Sequence, residues 1–142
     1  MPNQTAIRFG YPDTLIAGYD HWVVLLRKQQ VTLGSLVLCS QSDAVSYSAL
    51  PQEAFAEMAE VVRDIERVLS KAVENEKINY LMLMMSDPNV HYHVLPRYPE
   101  SRSACGLTIA DRGWPAAPDL KHVTELSSVE SDALCAHLRS LW

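Results

Sequence analysis

The chain has 142 residues, of which 48% are hydrophobic and 20% are charged, and both fractions are ordinary for a soluble globular protein. This length predicts a single domain over residues 1–142 that buries about two-thirds of the surface of its unfolded chain. The net charge of -5 disfavours binding to a nucleic acid polymer, because phosphates repel an acidic surface. It does not exclude a small anionic ligand, which needs only a local site.

The cysteine content indicates a reducing compartment. Cys39, Cys105 and Cys135 are widely spaced and form no CxxC motif. An odd number of cysteines without a framework predicts free thiols, so we expect a cytoplasmic protein. Residues 1–10 lack the basic and apolar regions of a signal peptide. No apolar run reaches the roughly 18 residues of a membrane span, so no membrane partner is expected.

The first third of the chain predicts an arm followed by strands. Residues 1–13 predict an irregular arm because Gly10 and Pro12 interrupt them. Strands are predicted at residues 14–17, 21–27 and 33–39. The last two are mostly apolar, so we expect both of their faces to be buried. The connection between them is short enough to make them antiparallel neighbours.

A long helix is predicted after the polar loop of residues 40–50, with Pro51 at its first position. Its apolar residues recur with the i, i+3, i+4, i+7 spacing of one buried stripe. The residues of this expected stripe are Phe55, Met58, Val62, Ile65, Leu69 and Ala72. Charged residues occupy the other faces, and Asn75 is expected to end the helix.

The remaining elements complete an α+β pattern. Residues 78–85 predict a third buried strand, and residues 86–89 form a turn that folds it into a hairpin with the next strand. Residues 99–118 are rich in Pro, Gly and Ser and predict a long loop. Ser127 and Glu130 have the spacing of a capping box, which predicts a C-terminal helix. Its expected apolar stripe consists of Val129, Leu134, Leu138 and Leu141. The fold class is therefore α+β, with an antiparallel sheet of about five strands crossed by one long helix.

The most informative segment, residues 87–98, places two histidines two residues apart among β-favouring residues. Side chains alternate along a strand, so Asn89, His91 and His93 are expected on one face. Tyr92 and Val94 point to the other face and can pack. Three polar side chains in a row on one strand face indicate a site.

Paired imidazoles suit chemistry at phosphorus. A neutral imidazole can attack an electrophile, and a second can donate a proton to a leaving oxygen or hold a phosphate. A zinc site is an alternative, but it requires a third protein ligand, and His21, His122 and His137 are scattered. A structural role, in which both imidazoles satisfy buried backbone groups, is the other alternative.

Residues 89–97, Asn-Val-His-Tyr-His-Val-Leu-Pro-Arg, resemble the signature of the histidine triad (HIT) superfamily of nucleotide hydrolases and transferases. That signature is His-x-His-x-His followed by apolar residues, often running into Pro-Arg. Residues 27–38, around Gly34, resemble a second family segment that ends in Gly-His and an apolar strand. The resemblance covers residues 14–98, leaves residues 99–142 as a C-terminal loop and helix, and implies a HIT-like fold.

The resemblance implies roles for three residues. His91 falls on the middle histidine, which attacks an α-phosphorus and forms a nucleotidyl-histidine intermediate that water resolves. His93 falls on the last histidine, which contacts the phosphate and helps the leaving group. Ser86 lies where relatives place a polar phosphate contact. No cofactor and no metal is implied, and a homodimer is expected because relatives are commonly dimers whose sheets join.

The sequence departs from the family pattern at several positions. Asn89 replaces the first triad histidine, and Ser35 replaces the histidine after the glycine. Both side chains can form hydrogen bonds to a substrate, but neither carries a positive charge. Arg27 stands where relatives often have Asp or Asn near the ribose, and it is expected to restore some positive charge. Trp114, with Pro115, is a candidate to cover a bound base or leaving group, and packing against the sheet or a second subunit is its alternative role.

We therefore expect an enzyme of the HIT type that resembles diadenosine polyphosphate hydrolases. It would split a phosphoanhydride or phosphoramidate, such as a dinucleoside polyphosphate, and its partner would be that nucleotide or dinucleotide substrate. A nucleotide-binding module with weak or lost catalysis is the alternative, and restoring histidine at positions 35 and 89 would then raise turnover. A purely structural or interaction protein is a third interpretation.

Overall fold

The computed structural model describes residues 2–142, in which it places three α-helices and nine strands. In chain order they are α1 (Gln4–Arg8), β1 (Leu15–Gly18), β2 (Trp22–Leu26), β3 (Gln29–Gln30), β4 (Leu36–Ser40), α2 (Gln52–Val73), β5 (Lys77–Leu81), β6 (His91–Arg97), β7 (Arg102–Ala104), β8 (Leu107–Ile109), β9 (Thr124–Glu125) and α3 (Ser128–Leu141). Five strands form an antiparallel sheet in the order β1-β2-β4-β6-β5, which confirms the α+β class and the five-stranded sheet. Strands β3 and β9 form one short ribbon, and β7 and β8 form another. No helix among the described residues combines the length and apolar character that crossing a bilayer requires.

The sheet has two differently covered faces. Helix α2 packs on one of them, where the indole nitrogen of Trp22 donates a 2.7 Å hydrogen bond to the Ala54 carbonyl. On the other face, Val23 and Val37 pack with Ala6 of α1. The expectation that β2 and β4 are buried on both faces is therefore confirmed. Burial of each such aliphatic side chain stabilises the fold by about 1.5–3 kcal/mol.

The predicted buried stripe of α2 is confirmed in part. The residues that α2 buries are Ala54, Val61, Ile65, Val68, Leu69 and Val73. Ile65 and Leu69 were expected among them. Met58 and Ala72 are half-buried and pack against the core. Phe55 is wrong as a stripe residue, because it is 40% exposed. Both sets of residues have helical spacing, and docking of the helix on the sheet selects between them. The helix begins at Gln52, with Pro51 as its N-cap, and Glu74 in a left-handed conformation ends it.

The N-terminal arm is also more ordered than predicted. Within the segment expected to be irregular lies α1, whose N-cap Asn3 accepts a 2.9 Å hydrogen bond from the Ala6 amide. The Asn3 amide nitrogen also donates to the carbonyls of Ser40 and Ser42, at 2.7 and 2.8 Å. These contacts fasten α1 to the end of β4.

The strand predicted at residues 78–85 forms, but its length and burial were wrong. Strand β5 lies at the edge of the sheet and is mostly half-buried. Its antiparallel pairing with β6 confirms the predicted hairpin. The predicted long loop at residues 99–118 contains the β7–β8 hairpin.

Helix α3 confirms the capping box predicted from Ser127 and Glu130. Leu134 and Leu138 are buried as expected. Val129 is wrong as a stripe residue, because it is 79% exposed in the first turn of the helix.

Gly34 allows the turn before β4 to approach α2. Its φ is +92°, a value that other residues rarely adopt. A Cβ at this position would lie 3.0 Å from Val73 Cγ2 and 3.1 Å from Leu69 Cδ2. The conformation and the close contact therefore both favour glycine.

We predict that Gly34→Ala lowers the free energy of unfolding by about 1–3 kcal/mol, through backbone strain and crowding against α2. Gly18→Ala is the matched control, because a Cβ added at Gly18 would meet no atom within 4 Å and the φ of Gly18 is not in the left-handed region. Urea denaturation of both variants measures the difference. Equal stabilities would contradict this account of Gly34.

Candidate active site

Strand β6 turns both histidines toward the face of the sheet opposite α2. The His91 and His93 rings lie 5.1 Å apart between centroids, with an interplanar angle of 85°. Tyr92 and Val94 face the core under α2, as predicted. The alternation of β6 therefore separates the paired imidazoles from the packing residues.

The His91 ring is held in one orientation. It is 1% exposed, and its Nδ1 lies 2.7 Å from the Asn89 carbonyl oxygen. Since a carbonyl oxygen only accepts hydrogen bonds, Nδ1 carries the hydrogen, and the neutral ring keeps its lone pair on Nε2. A nucleophilic imidazole requires this tautomer if Nε2 is to attack.

The His93 ring is more buried than the ring of an ordinary surface histidine. Burial lowers its pKa from 6.5 to about 4. The positive charge of Arg27 and coulombic repulsion from the His91 imidazole contribute to this lowering, while Asp87 opposes them. Its Nδ1 is buried without a hydrogen-bond partner among the described residues. At neutral pH the ring is therefore uncharged.

Phe9, just after α1, covers the imidazole pair. Its ring centroid lies 5.7 Å from that of His91 and 5.8 Å from that of His93. Phe9 was not predicted as a site residue, because residues 1–13 were expected to be irregular. Asn is a preferred N-cap residue. Asn3, just before Thr5 and Ala6, is therefore a sequence signal for a short helix in this arm.

Asn89 links the histidine strand to α1. Its Oδ1 accepts hydrogen bonds from the Thr5 amide and the Thr5 hydroxyl, at 3.2 and 3.1 Å. The backbone N–H of Asn89 donates to Thr5 Oγ1 at 3.0 Å, and the side-chain Nδ2 of Asn89 donates to the Asp43 carbonyl at 3.1 Å. Both polar atoms of this side chain are therefore engaged within the protein.

The sequence and the fold together identify the family. Residues 8–100 match the family model described as HIT domain. The chain belongs to the HIT family.

Solved structures of HIT proteins share its fold. A histidine triad protein from Sinorhizobium meliloti 1021 superposes with a TM-score of 0.71 at 20% identity, over 90% of this chain and 88% of that one. One from Marinobacter aquaeolei VT8 gives 0.71 at 17% identity, over 89% and 86%. A hypothetical histidine triad nucleotide-binding protein from Sulfolobus tokodaii strain7 gives 0.67 at 16% identity, over 90% and 82%. No curated protein gave a significant match.

Ser35, at a position where HIT relatives have a histidine, is part of a buried turn. Its hydroxyl donates to the Thr32 carbonyl at 2.7 Å and accepts from the Thr32 amide at 3.1 Å. The Gln30 side chain also bonds to the backbone of this turn. Histidine at position 35 or 89 would break the hydrogen bonds that Ser35 and Asn89 make, and the gain of turnover expected from restoring both histidines stays a prediction. Substrate binding by Ser35 and Asn89 stays a prediction.

Arg27 is a cation whose charge acts on His93. Its guanidinium lies close enough to lower the pKa of His93. One terminal nitrogen donates to the Gln29 carbonyl at 2.7 Å, whereas Nε is buried without a partner in residues 2–142. Burial lowers the pKa of Arg27 itself, but a guanidinium stays charged at neutral pH. The charge of Arg27 therefore acts on His93, and its role in substrate binding stays a prediction.

The remaining predicted residues lie at two different places. Ser86 is exposed in the loop before β6, where its carbonyl accepts a hydrogen bond from Arg8. Arg8 also forms a 2.8 Å ion pair with Asp87. Trp114 lines a separate cavity beside Arg97, at the opposite end of β6 from His91. No group of three or more His, Cys, Asp or Glu side chains is arranged to hold a metal ion within the described chain.

The low pKa of His93 predicts a pH-dependent stability. An unfolded chain protonates His93 below about pH 6.5, whereas the folded chain keeps it neutral down to about pH 4. The unfolded state therefore binds more protons in this window, and protonation favours unfolding. The stability that the neutral, buried His93 ring contributes is fully present above pH 6.5 and is lost as the pH falls towards 4. The loss is about 1–2 kcal/mol, less than full burial would give, because the ring is partly exposed.

The measurement is denaturation of the wild type and of His93→Gln at neutral pH and at about pH 4.5. The variant should lose less stability between the two conditions, since the titrating carboxylates are common to both proteins. An identical loss in both proteins would contradict the lowered pKa.

Proposed function

We propose that the chain is a HIT-type nucleotide phosphohydrolase that uses His91 as a covalent nucleophile. Its substrate would be a phosphoanhydride or phosphoramidate, such as a dinucleoside polyphosphate. HIT family membership supports the nucleotide class. The observation that carries the proposal is the His91 ring, whose Nδ1 donates to the Asn89 carbonyl and leaves Nε2 as the free lone pair.

The reaction would proceed in two displacements. His91 Nε2 attacks the α-phosphorus, a P–N bond to His91 forms, and the bond from phosphorus to the leaving group breaks, which is P–O in a phosphoanhydride and P–N in a phosphoramidate. Water then attacks phosphorus, the P–N bond breaks, and a nucleoside monophosphate leaves. In each step the protein contributes positioning and charge stabilisation, which dominate catalysis at phosphorus.

His93 would assist the first displacement. Entering as a neutral ring, it can donate one N–H hydrogen bond to a phosphate oxygen. The negative charge of a bound phosphate raises the pKa of a nearby imidazole, so the ring can take up a proton from solvent. The resulting imidazolium gives this proton to the leaving oxygen and returns to the neutral form. Such general acid assistance contributes about 10²–10⁴-fold.

Arg27 would supply positive charge that Asn89 and Ser35 lack. Its buried Nε–H has no partner in the described chain, and leaving such a donor unsatisfied costs about 1–3 kcal/mol. A phosphate oxygen next to His93 would satisfy it. In this proposal, Arg27 supplies the positive charge near the phosphate that the resemblance assigns to histidines at positions 35 and 89.

A nucleotide-binding module without turnover is the second candidate. It is favoured by the 1% exposure of His91 beneath Phe9 and by the two missing family histidines. Both candidates bind nucleotide, and only the first forms a covalent adduct. Mass spectrometry after incubation with a dinucleoside polyphosphate separates them.

We predict that His91→Ala abolishes the adduct and lowers turnover by about 10³-fold or more, because the nucleophile is removed. His93→Ala should slow turnover by about 10²–10⁴-fold while nucleotide binding persists. His137→Ala, on α3, is the matched control and should behave as the wild type. Turnover that survives in His91→Ala would exclude the covalent mechanism.

A separate prediction concerns Arg27. Arg27→Gln should weaken binding of AMP by about 10–100-fold, the equivalent of one or more charge-assisted hydrogen bonds. Adenosine, which lacks the phosphate, should bind the variant and the wild type equally. Calorimetry measures both ligands.

Arg63→Gln, on the exposed side of α2, controls for the general loss of one positive charge and should leave AMP binding unchanged. If Arg27→Gln weakened AMP and adenosine binding to the same extent, Arg27 would not act on the phosphate.

A further inference from the structure

Position 89 connects two segments that are far apart in the sequence. Five hydrogen bonds involve Asn89: three link it to Thr5, one joins its Nδ2 to the Asp43 carbonyl, and in the fifth its carbonyl accepts from His91 Nδ1. Thr5 is fully buried and Asn89 is 5% exposed, so water does not compete strongly for these bonds. We call the three mutual bonds between Thr5 and Asn89 the clamp.

The clamp holds α1 in a position from which Phe9 reaches the imidazoles. Thr5 lies in α1, and Phe9 is the C-cap of the same short helix. The Phe9 amide donates to the Thr5 carbonyl at 3.0 Å, so the clamped residue and the covering ring are parts of one hydrogen-bonded turn. A shift of Thr5 would therefore move Phe9.

A cavity of about 260 Å³ lies beside Phe9 and is also lined by Arg8, Gln29, Ser86 and Asp87. Phe9 therefore stands between this cavity and the imidazoles that its ring contacts. The position of α1 thus bears on hydration of the imidazoles.

We propose that Asn89 is a positioning residue: through the clamp it holds α1 and Phe9 over the imidazole pair and keeps water away from His93. The consequence for catalysis rests on the function proposed above, whereas the positioning itself does not. Asn89 aligns with the first histidine of the family signature. It would then act by holding α1 in place and not by supplying an imidazole.

Two changes around His93 follow when the clamp loosens, and both raise its pKa. Arg27, from the end of β2, and His91, from β6, lower the pKa of His93, and Asp87, from the preceding loop, raises it. From α1, Phe9 excludes water and Arg8 pairs with Asp87. Release of α1 hydrates the ring and frees the Asp87 carboxylate, and both effects raise the pKa of His93.

The test is NMR titration of the histidine rings in clamp variants. Thr5→Val removes the hydroxyl while keeping the shape, and Asn89→His installs the family residue. Both should raise the pKa of His93 from about 4 toward 6.5 and weaken the nuclear Overhauser contact between the Phe9 and His93 rings. Thr5→Ser, which keeps the hydroxyl, should retain the wild-type values.

Two further variants keep the result interpretable. Tyr98→Phe removes a buried hydroxyl that bonds to the Leu33 amide and the Ile109 carbonyl, so it destabilises the fold without touching the clamp and should leave the pKa of His93 unchanged. Phe9→Ala removes the cover directly and should raise this pKa even if Thr5→Val fails to fold.

An unchanged pKa in folded Thr5→Val, or in Phe9→Ala, would overturn the proposal, and so would a rise of the same size in Tyr98→Phe. The readout is independent of turnover. If no nucleotidyl adduct forms on His91 but the pKa shifts as expected, the proposed function fails and the positioning role stands. If an adduct forms but the pKa does not shift, the proposed function stands and the positioning role fails.

Discussion

The register of β6 is the constraint on which the rest of the structure depends. Its residues are paired with β4 so that His91 lies opposite Cys39 and His93 lies opposite Val37. A slip by one residue would turn both imidazoles into the core under α2 and expose Val94 on the other face. The same register buries the core residues of β6 and aligns the imidazoles. A change of register would therefore disturb the stability of the fold and the candidate site together.

The face that carries the imidazoles is polar, yet α1 covers it. Covering polar groups costs free energy unless they find partners. The structure supplies partners at Asn3, Thr5 and Asn89, and leaves His93 Nδ1 and Arg27 Nε without any in the described chain. The unsatisfied groups lie at the candidate site, where a phosphate could satisfy them, and the satisfied ones hold the cover in place.

Ser35 and Asn89, the two positions at which the sequence lacks a family histidine, have a common physical character. Ser35 and Asn89 are short polar side chains that bond to backbone groups, Ser35 inside the turn before β4 and Asn89 between α1 and β6. An imidazole at either position would be larger and would bring a different donor geometry. Neither side chain carries a positive charge, whereas the guanidinium of Arg27 stays protonated whatever its burial.

The sequence by itself determined the elements that local patterns encode. The two-residue alternation of β6, the apolar runs of β2 and β4 and the capping box of α3 depend on residues close together in the chain, and each was predicted. Tertiary structure decided which apolar stripe of α2 is buried, because two stripes have helical spacing and only docking on the sheet distinguishes them. It also decided the roles of Asn89 and Phe9, since the bonds between Thr5 and Asn89 join residues 84 positions apart. Local periodicity carries no information about such a contact, which exists only once the strand and the helix have been brought together.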